Sequence, residues 1–557
     1  MTGRSFIPSF VREADRYFSV VALAFALLAA QTALASERAL ASANAAAVSD
    51  APSRYDYDYV KGLQPWLFTR NPAGLGRLGG GRLVRVSGVL GKENGGYHSY
   101  NGSPDSFSAG LDAEAYTPLG ERLYLSGEVG YTYFYGKNMT ASAWADPYLM
   151  PFDLVEDAAN AGAKQRERYH LSGGIAFEAF RDFSLGAKVD YTSGNYVKMK
   201  DLRHSNQLMD LTVDAGICWH PGAWGIGLNY TYRRRVETLA FQQSGESARS
   251  YSELISYGAF YGRRQIFSAN TYVSSESQPL RDGWHGGALQ LSYTLPGGGK
   301  LLGEVLASFR SGSYGIPGSK NVEYARHRGT DLRARAYLLF PSGENEHRVH
   351  LEAGYSALSD FENVYRYLND PATGNTVVDY LGSNEVSRRL NLDALADYKL
   401  YFGTGQRLPQ WTVSATLRGL AQKTDVSLYP FWRQQRWFSV GLTTAGERVF
   451  LWGPHLLSAG LNLGFSAGGG TPVRDGAYLA SAEESTRPAE EPLYLWQEYE
   501  FRTKPCLSIG LPLRYGYLFA RRYDASVGLN LGWQHAFGAT CVGPNRFVAQ
   551  LMLQLIF

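Results

Sequence analysis

Polar and apolar residues alternate with a period of two through most of the chain. In 547–557, Phe547, Ala549, Leu551, Leu553, Leu555 and Phe557 share one face; Val548, Gln550, Met552, Gln554 and Ile556 share the other. The same pattern places Ala525, Val527, Leu529, Leu531 and Trp533 opposite Ser526, Gly528, Asn530, Gly532 and Gln534. In 455–465 it sets Leu457, Ala459, Leu461, Leu463 and Phe465 against Ser458, Gly460, Asn462 and Gly464, and 210–219 behaves likewise. One face is apolar and ends in aromatics, while the other carries Ser, Thr, Gly, Asn and charge. That division fits strands with lipid on one side and a polar lumen on the other, the aromatics lying at the two headgroup levels.

The pattern predicts an all-β chain: a transmembrane antiparallel up-and-down β-barrel of about 18 strands. The candidate strands cover 82–91, 105–117, 122–135, 168–180, 182–193, 207–219, 223–236, 284–295, 300–312, 328–340, 347–358, 386–402, 409–421, 434–446, 454–466, 502–515, 522–535 and 545–557. Connections alternate in length. Residues 136–167, 237–283, 359–385 and 467–501 are long, whereas 118–121, 181, 220–223, 296–299 and 341–346 are short and mostly carry Pro or Gly. Short turns on the periplasmic side and long loops outside produce this rhythm. The range is about 16–20 strands, because 251–261 and 267–273 are a further pair of short runs within 237–283.

The N-terminus reads as an address. Arg4, Arg12 and Arg16 precede an apolar core at 18–30, and Ala33-Leu34-Ala35 fits cleavage before Ser36. No later stretch is apolar for long enough to cross a bilayer as a helix, so a membrane location requires a closed barrel. The expected organisation is a signal peptide at 1–35, an N-terminal periplasmic or luminal segment at 36–80, and an outer-membrane barrel at 81–557. The final strand ending in Phe557 resembles the signal read by the bacterial outer-membrane barrel assembly machinery, which is an expected partner together with outer-membrane lipid.

Residues 66–75 read Trp-Leu-Phe-Thr-Arg-Asn-Pro-Ala-Gly-Leu. The stretch Asn71-Pro72-Ala73-Gly74-Leu75 resembles the N-terminal hatch of FadL-type fatty-acid and hydrocarbon channels. The resemblance covers these residues and the segment length, not the barrel, which has fewer strands in that family. It implies that 36–80 enters the lumen from the periplasmic side, with Trp66, Asn71, Pro72 and Ala73 in the hatch. An ordinary turn also uses Asn-Pro-Ala, because Pro fixes φ and Asn bonds its local backbone. The whole chain, with its long Tyr-rich loops, resembles the uncharacterised outer-membrane barrels of Bacteroidota.

If the apolar face meets lipid, the other face lines the lumen. It carries Asp112, Glu114, Glu128, Asp190, Asp210, Asp214, Arg233, Arg333, Arg335, Asp393, Asp397 and Arg418. Acids on the early strands facing Arg333 and Arg335 would set a transverse field across a diffusion pore. Pairing across a filled lumen is the alternative, and the two stand level at this stage.

Composition narrows the chemistry. The 557 residues include 62 Gly and 38 Tyr but 3 Cys, and the net charge is +3, which gives no electrostatic reason for a nucleic-acid partner. Gly464-Phe465-Ser466-Ala467-Gly468 matches the nucleophile-elbow spacing, but Ser466 ends a lipid-type strand with no helix following it. Gly297-Gly298-Gly299-Lys300 lacks phosphate-loop spacing, and His347 and His350 point to opposite faces. No catalytic set, metal site or cofactor site is read. Cys506 and Cys541 fall near the external ends of the last strands, where a loop-pinning disulfide is an open option in an oxidising compartment. The expected function is a channel for passive passage of a small solute, gated by 36–80. The alternative is a closed barrel whose loops bind a protein partner in secretion or surface assembly.

Overall fold

The computed structural model describes residues 56–77, 82–244, 249–269, 271–317, 321–369, 371, 374–404, 408–519 and 523–557. The expected signal at 1–35, its cleavage point at Ala35 and the stretch 36–55 lie outside the described residues.

Eighteen strands form one antiparallel sheet that closes on itself. In chain order they are Leu83–Asn94, Asp105–Leu119, Leu123–Met139, Gly162–Phe180, Phe183–Lys198, Arg203–Trp219, Trp224–Gln242, Gln278–Thr294, Lys300–Gly315, Glu323–Ser342, Asn345–Asn369, Thr376–Phe402, Trp411–Leu428, Phe431–Trp452, His455–Ala477, Cys506–Phe519, Tyr523–Ala536 and Asn545–Ile556. Each pairs with its chain neighbours, and the first meets the last from Arg85↔Ile556 to Asn94↔Phe547. Number and order match the alternation in the sequence. Tight turns at one end close the hairpins: Gly343 (φ 62°) and Gly453 (φ 59°) adopt the left-handed conformation that a side chain disfavours.

The wall is apolar on its outside. Leu111 and Phe309 are each 65% exposed and Leu392 is 55% exposed. A continuous belt of such residues belongs in lipid. At the short-turn end it finishes in aromatics: Trp224 packs on Tyr293 at 4.7 Å, and Tyr523 packs on Phe557 at 5.5 Å. Among the described residues no helix is long and apolar enough to cross a membrane, so any crossing is made by strands.

Two expectations about the long loops are corrected. Residues 359–385 are not a loop. The strands Asn345–Asn369 and Thr376–Phe402 continue pairing to Asn369↔Thr376. Above the apolar belt both faces carry polar residues, so the alternation disappears although the backbone pairing does not. The extra pair within 237–283 exists, but as Ser252–Ser256 with Tyr261–Ile266, and it lies outside the wall. These two strands join Ala141–Ser142, Asp153–Glu156 and Ala489–Glu490 in a separate five-stranded sheet. Helix Pro492–Thr503 follows that sheet.

This small sheet caps the long-loop end. Trp144, Met150, Phe152, Leu154, Ile255 and Tyr272 from the loops are buried against Leu239, Phe241, Leu280, Tyr314 and Val426 of the wall. Each large apolar side chain removed from water contributes about 1.5–3 kcal/mol, so this end is held by a true core. At the opposite end the N-terminal segment 56–77 lies inside the wall as three short turns of helix, Tyr57–Gly62, Pro65–Phe68 and Pro72–Arg77.

Candidate functional site: a segment seated in a charged lumen

The segment begins at Asp56, whose Oδ1 accepts from the Tyr59 N–H at 2.9 Å and caps the first turn. From there it crosses the lumen through polar contacts. Arg514 pairs with Asp56 at 3.4 Å, Arg85 with Asp58 at 3.1 Å, and Lys61 with Glu114 at 2.5 Å. The Tyr59 hydroxyl donates to Glu346 at 3.1 Å, while Arg348 donates to the Tyr59 carbonyl at 2.8 Å. Lys300 donates to the Leu63 carbonyl at 2.7 Å, and the Arg70 N–H donates to Glu304 at 2.9 Å.

The four residues singled out by the hatch resemblance come together in the seat. Trp66 is buried beside Ala73, Cys218 and Leu302, with its ring 5.1 Å from that of His220. Asn71 is 3% exposed. Its Nδ2 donates to the Ile217 carbonyl at 2.8 Å and to Gln290 Oε1 at 3.0 Å, and its Oδ1 accepts from the Ala73 N–H at 3.0 Å. Pro72 opens the last turn, and Ser184 Oγ donates to the Ala73 carbonyl at 3.1 Å. The wall makes room with glycine. A Cβ on Gly186 would stand 2.3 Å from the Ala73 nitrogen, and one on Gly216 would stand 2.1 Å from Asn71 Oδ1. Gly186 and Gly216 face each other across adjacent strands.

The seat covers only part of the circumference. Among the described residues, none of the segment's hydrogen bonds or ion pairs reaches the strands Trp411–Leu428 and Phe431–Trp452. On that side lumen-facing side chains are exposed. Arg418 is exposed and has no ion-pair partner among the described residues, Thr443 is exposed, and Lys399, on the adjoining strand, pairs with Asp397 at 3.8 Å.

The remaining lumen residues expected from the sequence mostly pair with near neighbours. Glu114 takes Arg85 at 3.3 Å as well as Lys61, and Asp112 lies 3.7 Å from Arg85. His170 sits between Glu128 at 3.4 Å and Asp190 at 3.1 Å. Arg233 makes a two-pronged pair with Asp210 at 2.8 and 2.5 Å, and Asp214 accepts from the Thr231 hydroxyl. Arg333 pairs with Glu352 at 2.5 Å and Asp393 at 3.4 Å; Arg335 pairs with Glu352 at 3.0 Å and Glu304 at 3.2 Å. Asp397 accepts from Thr416 at 2.5 Å. These pairs follow neither arrangement set out from the sequence: Arg333 and Arg335 are met by acids of nearby strands rather than by acids across the lumen. Arg418 stands apart from these pairs.

A loop from the cap reaches down to meet this lumen. Arg168 and Arg235 pair with Asp146 at 2.5 and 3.1 Å, while Arg310 and Arg389 donate to the carbonyls of Leu149 and Met150 at 2.8 and 2.7 Å. Burial opposes ionisation of Asp146, but the arginines outweigh it and hold the carboxyl below its usual range. Four strands thus clamp one loop tip. Sequence reasoning missed this clamp and the seat partners Asp56, Lys61, Glu304, Gln290 and Glu346. The glycines on the polar faces of consecutive strands, Gly174, Gly186, Gly216 and Gly227, were a usable signal of close backbone approach.

The optional disulfide is absent. Cys218, Cys506 and Cys541 are free thiols. Cys506 packs with Tyr97, Ala536 and Val542, whereas the Cys541 N–H is held by Glu500 at 2.7 Å. Ser466 lies within the wall strand His455–Ala477, with no elbow. Among the described residues no group of His, Cys, Asp or Glu is placed to hold a metal ion.

Comparison with known proteins adds a family and a set of barrels. Residues 72–557 match the model of a family of unknown function, DUF6850, and the chain belongs to that family. No curated protein matches the sequence. Among solved structures, the chain is similar to the ferric preacinetobactin receptor of Acinetobacter baumannii, at 9% identity and a TM-score of 0.37 over 85% of this chain and 80% of that one. It is similar to the outer membrane transporter YddB of Escherichia coli, at 6% identity and a TM-score of 0.38 over 85% and 81%. It is also similar to the ferric yersiniabactin uptake receptor of Yersinia pestis, at 9% identity and a TM-score of 0.34 over 86% and 80%.

Proposed function

We propose that this member of a family of unknown function is an outer-membrane β-barrel that passes a small polar solute, with residues 56–77 as the gate at the periplasmic end. The outward apolar belt with its aromatic margin supports the membrane location. One observation carries the gate: beyond small apolar contacts at Tyr57, Trp66 and Ala73, the segment's ties to the wall are ion pairs and hydrogen bonds, and none of them reaches the wall from Trp411 to Trp452 among the described residues. Arg418 lines the uncovered side with no ion-pair partner among the described residues, so the passage favours anions. The last strand, Asn545–Ile556 with Phe557, serves as the insertion signal for the barrel assembly machinery.

The test is conductance of the refolded chain in a planar bilayer, beside a version lacking 36–80. The expected result is a mostly closed full chain and a conducting truncation. Steady large conductance in both removes the gate. Silence in both means a filled barrel. The cap core favours that second reading, in which the external loops bind a protein partner.

A further inference from the structure

The outer face of the wall carries a second feature at the long-loop end. Four cations stand at one level, immediately above the apolar belt. On the strand Thr376–Phe402, Leu392 and Leu390 are followed by Arg388; on Trp411–Leu428, Leu417, Gly419 and Ala421 are followed by Lys423. On Phe431–Trp452, Leu442, Val440 and Phe438 lead up to Arg436. Register fixes them as neighbours: Arg388 is opposite Asp425, Lys423 opposite Arg436, and Gln434 opposite Arg474. Directly opposed residues share a face, with Cβ atoms about 4.5–5.5 Å apart.

Two carboxylates answer these four cations. Lys423 pairs with Asp425 at 2.6 Å and Arg388 with Glu385 at 3.1 Å. Arg436 is exposed and has no ion-pair partner among the described residues, and Arg474 lies 5.8 Å over the Trp432 ring. A cavity of about 470 Å³ opens in the same patch, lined by Arg388, Asp425, Trp432, Gln434 and Tyr478 among others. Asp425 Oδ1 is buried there without a hydrogen-bond partner, an acceptor left for a hydroxyl.

We infer that this patch binds the phosphorylated sugar headgroup of a glycolipid in the external leaflet. Phosphate meets Arg388, Lys423 and Arg436, the sugar lies in the cavity against Trp432 and Tyr478, and its hydroxyl donates to Asp425. The acyl chains run down over Phe438, Val440 and Leu417. Guanidinium groups suit phosphate because they donate two hydrogen bonds in a fixed fork. The inference rests on the proposed outer-membrane orientation, which puts the long-loop end outside.

The test uses native mass spectrometry of the full chain in detergent, after heat-modifiable gel mobility has confirmed a folded barrel. Three probes are compared: an acylated glucosamine disaccharide bearing two phosphates, the same lipid with its phosphates removed, and inorganic phosphate as competitor. The expected result is retention of the phosphorylated lipid over the dephosphorylated one. Lys423→Gln with Arg436→Gln should weaken it by about 30-fold, from the usual contribution of a surface cation to anionic lipid binding. Arg448→Gln, on the same outer face but beside Trp411 and Phe450 at the other end, should leave it unchanged. Equal retention of both lipids by a folded barrel overturns the site, as does an unaffected double variant. Full displacement by millimolar inorganic phosphate overturns the lipid assignment in favour of a free-anion site. A chain that shows no heat-modifiable form fails the barrel reading itself, which is a separate outcome.

Discussion

Gly186→Val tests the gate where it is most sharply defined. The new Cβ would stand 2.3 Å from the Ala73 nitrogen and 2.4 Å from the Pro72 carbonyl carbon, both backbone atoms that no rotamer change can move. The segment must therefore lift by about an ångström, beyond the tolerance of a hydrogen bond. Three contacts go with it: Asn71 Nδ2 to Ile217 and to Gln290, and Ser184 Oγ to Ala73. At about 1 kcal/mol net each, the seat loses about 3 kcal/mol, roughly a 100-fold shift toward the unseated state. The strand itself should tolerate the change, because valine is a good strand former. Gly173→Val is the matched control, since Gly173 faces outward with open space around it. Single-channel recording should show the Gly186→Val chain open far more of the time, and trypsin should cut sooner at Lys61 and Arg70. Unchanged closure in a chain that still shows heat-modifiable mobility would refute the argument, since the lifted segment would then not be what closes the lumen.

The remaining predictions follow from single groups. A thiol reagent should titrate Cys541 in the folded barrel but reach Cys218 and Cys506 only after unfolding; one fast thiol becoming three is the expected count. Arg418→Glu should turn the conductance of the truncated chain from anion-favouring to cation-favouring, and an unchanged reversal potential in a salt gradient would remove the uncovered wall from the path. In the cap, burial pushes the Glu253 carboxyl well above the ordinary range, only partly offset by Lys198 and Lys164, and neither of its oxygens has a hydrogen-bond partner. The folded cap therefore holds a proton that the unfolded chain has lost. The stabilisation is full below about pH 4.3 and disappears as pH rises through the raised value. Thermal unfolding at about pH 5 and about pH 9 should show the cap weaker at the higher pH, and Glu253→Gln should narrow that gap; an undiminished gap would show that Glu253 is not its source.

How much of this was legible follows from where a residue's environment is imposed from outside. Between the two headgroup levels, lipid forces one face of every strand to be apolar. Leu461, Leu463 and Phe465 against Asn462 and Gly464 could therefore be read as a wall strand from composition alone. Above the lipid that constraint ends. Thr376–Phe402 continues through Asp379, Ser383, Asn384 and Glu385 with no periodic signal, because water lies outside and the cap inside. The cap sheet was illegible for a related reason: Ser252–Ser256 pairs with Asp153–Glu156 from a loop far away in sequence, and nothing local records the partner. In the seat, Asn71, Pro72 and Ala73 were found by resemblance. Their partners were hidden because Gln290 and Glu304 read as ordinary lumen residues until the segment is laid beside them.

The two ends of the lumen are closed by different physics, and the difference decides which can open. The cap buries Trp144, Phe152, Tyr257 and Tyr272 against Tyr314 and its neighbours in the wall. Exposing several such rings at once would cost on the order of 10 kcal/mol, comparable with the stability of a whole domain. The seat has a much smaller apolar contact, Trp66 and Ala73 with Cys218 and Leu302, and otherwise rests on polar ties such as Asp58, 77% exposed in its pair with Arg85, of the kind worth about 0–1.5 kcal/mol each. Thermal motion can break these a few at a time, and both partners keep water when apart. Over the sector that the seat leaves bare, the cap core still packs on Val426, Leu428 and Phe431 of the wall. There buried Arg433 also joins Glu490 of the cap to Asp475 of the neighbouring wall strand. Lifting the seat therefore frees the short-turn end of that sector, beside Arg418, while the cap end stays closed by apolar contacts together with the Arg433–Glu490 pair.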